Sequence, residues 1–360
     1  DTNVVFDRLD ALPPACAAPL DPSPSAVAAA FLDHFHRHYA FFDRRLPDRQ
    51  ARAAHLRRSV HDEMSEAELW EALAGFMDGL SDSHTKLIGD VGGERRRQQD
   101  SQGDTLPRVR ATLGEGDWLI ALLDQTMAEL GDSAVHTLND RLIWGVIDTE
   151  PGARVGYLQL FVMGGFTDRT DFASDAWAEA EMAALNTALD EALQAFQGAD
   201  AVIVDLSNNR GGWDRVAKAL PGRFTDTAFV GFTTQSRGSG LAPFPHRVEP
   251  AEGPRFTGPV RLLTSDVTVS GGELATLAFR QLPHVTQYGG ATRGSFSTPL
   301  AKPLPNGWLL ELSNEVFAAP DGAVFEQTGI APHRALEVYP HPDPIAGHWR
   351  AVEAVARGWE

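Results

Sequence analysis

The chain has 360 residues, 43% apolar and 22% charged, and its 31 basic against 49 acidic side chains give a formal net charge of -18. That composition predicts a soluble globular protein long enough for two domains, and it opposes binding to nucleic-acid phosphates or anionic membranes. No apolar run is long enough to insert into a bilayer, and the single Cys16 excludes an internal disulfide.

Residues 1–24 read as an extended arm rich in proline and alanine. Opening on Asp1 without an initiator Met, the arm suits a chain exported to the periplasm or secreted after signal removal, or equally a trimmed one, and export is the expectation. From Ser25 apolar side chains recur every three or four positions, at Val27, Phe31, Phe35, His38 and Phe42, one face of a helix. A second helix opens on the capping box Ser65-x-x-Glu68 and carries Leu69, Leu73, Phe76, Met77 and Leu80 on one side. The polar run 89–105 predicts an exposed loop, with Arg95, Arg96 and Arg97 as solvated charges. One more helix over 117–130 completes an N-terminal helical domain spanning 25–140.

From 141 to 360 the pattern becomes α/β. Strands are expected at 155–162 and 201–206, separated by a helix whose stripe is Met182, Leu185, Leu189, Leu193 and Phe196, the signature of a right-handed parallel crossover. Further strands are expected at 228–232, 260–264 and around Val285, with a helix starting at Ser270 between the last two. A hairpin-like region with Asn306-Gly307 and Asp321-Gly322 turns follows. Asp343 and Pro344 then open a C-terminal helix.

Ser270 begins the second Ser-x-x-Glu box, with Glu273 as its local partner. A helix N-terminus offers partial positive charge where an alkoxide or oxyanion would form, so Ser270 is either a cap or a nucleophile. His84 follows the second helix among small polar residues; it reads equally as a surface histidine or as a neutral imidazole able to take a proton. Ser83 beside it is a loop serine or a supporting hydroxyl. The Gly211-Gly212 pair ends the strand at 201–206, as a tight turn or as a source of backbone N–H donors for an oxyanion. Glu326 is an exposed turn carboxylate or an orienting group for the base. His34, His36 and His38 diverge on a helix at their spacing of two, and no metal, nucleotide or dinucleotide motif is present.

Four stretches in order, "LSDSHTKL", "VIVDLSNNRGG", "TSDVTVSGGE" and "GGATRGSFS" with the later "FEQTGIAP", resemble the tail-specific or C-terminal-processing serine peptidases. The likeness is greatest to the branch with the tricorn core protease and the retinoid-binding-protein-like modules. The resemblance implies a crotonase/Clp-protease-like β-α superhelical core with an N-terminal helical domain. It implies Ser270 as nucleophile, His84 as base, Ser83 and Glu326 in support, and the Gly212 and Gly271 N–H groups as oxyanion hole. Where the processing branch carries a lysine after its Gly-x-x-Thr-x-Gly turn, this chain has Ser295, so the histidine-dependent tetrad fits. Gly272 replaces a usual alanine and His333 a common aspartate. The interval 89–140 is too short for a PDZ domain, which leaves Arg210, Arg215 or Arg293 as candidate anchors for a peptide carboxylate. The expected activity is hydrolysis of peptides or unfolded protein tails through an acyl-enzyme, without metal or cofactor. A non-catalytic module binding peptides or apolar ligands is the alternative. A serine that attacks a carbonyl cannot also cap its helix, so the Ser270 capping bond is expected to be weak or absent.

Overall fold

The computed structural model describes residues 19–100, 103–149, 152–172 and 174–358, with Asp10, Ala11, Pro13 and Cys16 upstream. The arm expected over 1–24 lies largely outside them. Ser23 caps the first helix, α1 (Pro24–His38), by accepting the Ala26 N–H at 3.4 Å. The stripe ends with that helix, because Phe42 opens a separate short helix, α2 (Phe42–Arg45). Two more helices, α3 (Arg49–Ser59) and α4 (Glu66–Met77), complete the N-terminal layer, and the Ser65 box is fully formed.

The polar run 89–105 is not a loop. It supplies a β-hairpin, β1 (Lys86–Val91) and β2 (Glu94–Gln98), before the helix α5 (Thr105–Thr112). Gly92 at φ 60° and Gly93 at φ 85° form its two-residue turn, which needs positive φ at both positions. The three arginines hide the strand from a propensity reading, yet charge is what an exposed edge strand carries to discourage further pairing. In sheet order β2 lies at the edge of β11 (Pro299–Pro303), β12 (Leu309–Ser313), β1, β2.

Helix α6 (Glu115–Leu130) leads to the larger sheet, which orders β14 (Arg334–Ala335), β10 (Val285–Gly289), β9 (Val260–Thr264), β6 (Ala201–Asp205), β5 (Arg154–Leu160), β4 (Leu142–Asp148), β3 (Val135–Thr137). Strands β5, β6, β9, β10 and β14 run parallel, and α7 (Asp175–Ala195) crosses from β5 to β6 as the periodicity predicts. A third sheet joins β13 (Glu315–Ala318), β7 (Phe229–Ser236) and β8 (Phe244–Val248). The expected Asn306-Gly307 hairpin is therefore real, but β13 leaves it for another sheet.

Two unions set up the site. The N-terminal helices bury Phe31, Phe35, Trp70 and Phe76 in one core with Trp308, Leu310 and Leu312 of the distant β11–β12 hairpin. Residues of α5 and α6, expected in that N-terminal unit, pack instead against one face of the large sheet, with Trp118 and Leu122 beside Tyr157 and Trp349. The C-terminal helix α10 (Pro344–Ala356) covers the same face, capped by Asp343.

Candidate active site

Adjacent parallel strands end at the same edge of a sheet, and the crevice beyond those carboxyl ends is where α/β folds hold ligands. Here Asp205 of β6 lies opposite Leu263 of β9, so the 207–213 turn and the approach to Ser270 leave the sheet side by side. Ser265 Oγ donates to the Ser207 carbonyl at 2.6 Å and Thr268 Oγ1 to that of Leu206 at 2.7 Å, stitching the two segments. The contact is close enough to demand glycine: a Cβ on Gly211 would sit 2.6 Å from Ser270 Cβ, and one on Gly212 2.7 Å from the Met163 carbonyl. A Cβ on Gly271 would lie 3.2 Å from the Gly212 nitrogen. Among the described residues neither the Gly212 nor the Gly271 N–H has a backbone acceptor. Gly272, where an alanine was expected, faces Asn209 Oδ1, which a Cβ would approach to 2.6 Å.

Ser270 has φ 57° and ψ -120°, a conformation that costs a non-glycine residue about 1–3 kcal/mol and concentrates at functional turns. Its side chain keeps the loose outline of a capping box over the Glu273 N–H without a full capping hydrogen bond; the first turn of α9 (Gly271–Phe279) closes on its carbonyl, which accepts from the Glu273 N–H at 2.9 Å. Glu273 is more than a local cap. Fully buried, its carboxylate accepts from Thr292 Oγ1 at 2.6 Å and from the N–H groups of Gly294 at 2.6 Å, Ser295 at 2.8 Å and Ser270 at 3.3 Å. Burial raises its pKa while these donors oppose the rise. It thereby holds the 292–295 loop against the serine.

Ser295 then joins nucleophile and base segments. Its carbonyl accepts the Ser270 N–H at 3.1 Å, and its hydroxyl accepts the Ser83 N–H at 3.4 Å. His84 follows Ser83 at the entry to β1, whose pairing with β12 fixes this segment. Asp82, fully buried, shapes the turn: it accepts the His84 N–H at 2.9 Å, the hydroxyls of Tyr39, Thr85 and Ser313 each at 3.0 Å. Burial pushes the His84 imidazole down to about 4, with Lys86 and Arg45 acting in the same direction and Asp82 opposing, so the ring is neutral at pH 7. Its Nδ1 is buried without a hydrogen-bond partner among the described residues.

Glu326, expected to orient the base or a bridging hydroxyl, is engaged elsewhere. It is buried against Arg45 at 2.9 Å and accepts the Phe296 N–H at 3.0 Å. Burial and the nearby Asp82 push its carboxyl up to about 8 despite Arg45. The same guanidinium donates to the carbonyls of Ser81 and Gly294, so Arg45 clamps the base loop, the 292–296 loop and Glu326 together. Ser81 and Gln327, beside these groups, also hold positive φ.

His84, Ser83, Val269, Arg210 and Arg293 line one cavity of about 420 Å³. Arg215 does not reach it; it lies over the Trp213 ring and lines a separate cavity with Asp190 and Arg247. His333 closes onto β10, donating its N–H to the Gln287 carbonyl at 2.9 Å. Arg45, Asp82 and the linking role of Ser295 escaped the sequence reading. Asp82 lay inside the quoted "LSDSHTKL", but nothing in the chain's order marks Arg45, which meets its partner 281 residues away.

Residues 154–336, just over half of the chain, match the model of peptidase family S41. That segment contains Gly212, Ser270, Gly271 and Glu326 but not His84. No curated protein matches the chain. Among solved structures, a candidate peptidase from Parabacteroides merdae ATCC 43184 is 21% identical over 93% of this chain and 96% of its own, with a TM-score of 0.71. Mature CPAF is 12% identical over 93% and 97% with a TM-score of 0.67. The photosystem II D1 C-terminal processing protease is 14% identical over 93% and 98%, at 0.51. At these identities the likeness is one of fold, and at 93% of this chain it reaches well beyond residues 154–336.

Proposed function

The chain belongs to peptidase family S41 and is a serine-type hydrolase, and we propose that it cleaves peptides or unfolded protein tails through an acyl-enzyme on Ser270. One observation carries this reading: Ser270 stands in a strained turn at φ 57°, its hydroxyl at most loosely held by the cap, beside the N–H groups of Gly212 and Gly271. In this reading neutral His84 takes the Ser270 proton as the hydroxyl oxygen attacks the scissile carbonyl, then delivers it to the leaving amine. The Gly212 and Gly271 donors stabilise the oxyanion, each worth about 2.7–4 kcal/mol on the scale of such groups. Ser83 and Glu326 support the base and the 292–296 loop, and Arg210 and Arg293 face the cleft that receives substrate. The parallel sheet with α7 and α9 is read as the crotonase/Clp-protease-like core.

The unpartnered Nδ1 of His84 and the commitment of Glu326 to Arg45 favour a second reading, a binding module on the same fold. A fluorophosphonate probe separates the two. Labelling of the wild type, abolished in Ser270→Ala and in His84→Ala, is expected for the enzyme. A folded wild type that stays unlabelled under the same conditions would leave the binding module standing.

A further inference from the structure

The cavity beside His84 has a charge opposite to that of the whole molecule. Five cations line it, Lys86, Arg97, Arg110, Arg210 and Arg293, and none of the lining residues is acidic. They come from five elements: β1, the edge strand β2, α5, and the turns after β6 and β10. Some of this charge is answered from outside the lining. Lys86 pairs with Glu311 at 2.7 Å, and Glu115 is shared by Arg110 at 2.6 Å and Arg210 at 2.5 Å. Arg293 donates to the Asp266 carbonyl, and the Asp266 carboxylate is bound by the N–H groups of Asp104 and Thr105. Counting Glu311, Glu115 and Asp266 against the five cations still leaves two positive charges, in a protein whose net charge is -18. Arg97 is exposed and makes no ion pair among the described residues, whereas its neighbours Arg95 and Arg96 pair with Asp90 and Glu71.

A cleft with low-dielectric walls concentrates the field of the charges that line it, so the local sign governs what enters. Resting on the peptidase reading of Ser270 and His84, we infer that this cavity selects peptides carrying an aspartate or glutamate side chain close to the scissile bond. Arg97, which no carboxylate among the described residues pairs, reads the substrate carboxylate together with Arg110 and Arg210, which share a single Glu115. Glu115 already lies between the latter two, which demonstrates that their guanidiniums can hold a carboxylate together. Lysine or arginine at the same substrate position is rejected by like charge. The whole-molecule charge makes the opposite demand, since a -18 surface repels acidic peptides at long range. Local and global electrostatics thus differ in sign, and an experiment can tell which one decides.

The test uses a randomised library of N-acetylated decapeptides, with either a free or an amidated C-terminus, passed over immobilised full-length Ser270→Ala protein at about 0.15 M salt. Retained peptides are sequenced by mass spectrometry. Aspartate and glutamate enriched about fivefold over asparagine and glutamine, in the free and amidated libraries alike, are the expected result. Adding Arg97→Gln should at least halve that enrichment; being exposed, this position tolerates the change without unfolding. Flat retention, or depletion of acids, overturns the inference. Enrichment confined to free C-termini also overturns it, because the α-carboxylate would then be the ligand. Acid enrichment on Ser270→Ala, together with no cleavage of the retained peptides by the wild type, would keep the charge selection and remove the peptidase reading.

Discussion

Two helices of this protein begin with Ser-x-x-Glu, at Ser65 and at Ser270, and the fold makes different things of them. At the exposed α4 start, Ser65 has φ -70°, its hydroxyl accepts the Glu68 N–H at 3.3 Å, and Glu68 takes the Ser65 N–H at 2.8 Å. The box closes on itself. At α9 the serine has φ 57°, its hydroxyl makes only a loose capping contact, and the glutamate reaches past its own helix to three groups of the 292–295 loop. One motif is a local device for satisfying orphan N–H groups; the other is a tertiary joint under a candidate nucleophile. The difference comes from burial. A solvated glutamate can do without further donors, whereas a carboxylate sealed from water needs several.

The comparison can be broken at its widest point by activity. Ser270→Ala is expected to remove peptidase turnover by about 10⁴–10⁶-fold on the scale of serine-peptidase nucleophiles, and Ser65→Ala to leave it unchanged. Comparable loss in both variants, measured on one peptide substrate, would erase the distinction. Stability should separate the glutamates next. Glu273→Ala strands four donors in a buried site and should cost about 3–5 kcal/mol in urea unfolding, against about 0.5–1 kcal/mol for Glu68→Ala. Arg45→Met, which strands Glu326 and the Ser81 and Gly294 carbonyls without their donor, should cost about 3–5 kcal/mol and lower kcat more than it raises KM. Arg45→Lys should recover part of both, since an ammonium keeps the charge but lacks the guanidinium fork.

A smaller effect concerns pH. His84 is pushed down to about 4 by burial, so in the free enzyme it remains able to accept a proton until pH falls through about 4. The acid limb of kcat/KM should therefore lie there, below the roughly 6.5 of an ordinary histidine. A limb near 6.5 would mean that the base is better solvated than its burial implies. The smallest expected change is Ser65→Ala itself, about 1 kcal/mol of stability with no change in the pH profile.

Much of the candidate site was legible because catalytic chemistry uses short segments: a serine at a helix start, a Gly-Gly turn, a histidine among small polar residues. What was not legible is how these segments are held. Glu273 read as a twin of Glu68, since their local sequences are alike. Glu326 was read as support for the base, but its partner Arg45, which also holds the Ser81 carbonyl of the base loop, lies in a helix too short to announce itself. The hairpin at β1 and β2 was missed although Gly92-Gly93 is a turn signal, because three consecutive arginines outweighed it.

The sequence by itself determined the periodic elements, the parallel crossover from β5 to β6 and the short segments proposed to carry the reacting groups, all of which depend on side chains a few positions apart. Only the tertiary structure decided which of two identical capping motifs is strained, which acid meets which cation, and that a strongly acidic chain presents a cationic cleft. Those outcomes depend on groups brought together across as many as 281 residues, as for Arg45 and Glu326, and on exclusion of water from between them. Neither separation in space nor loss of solvent is written in local order.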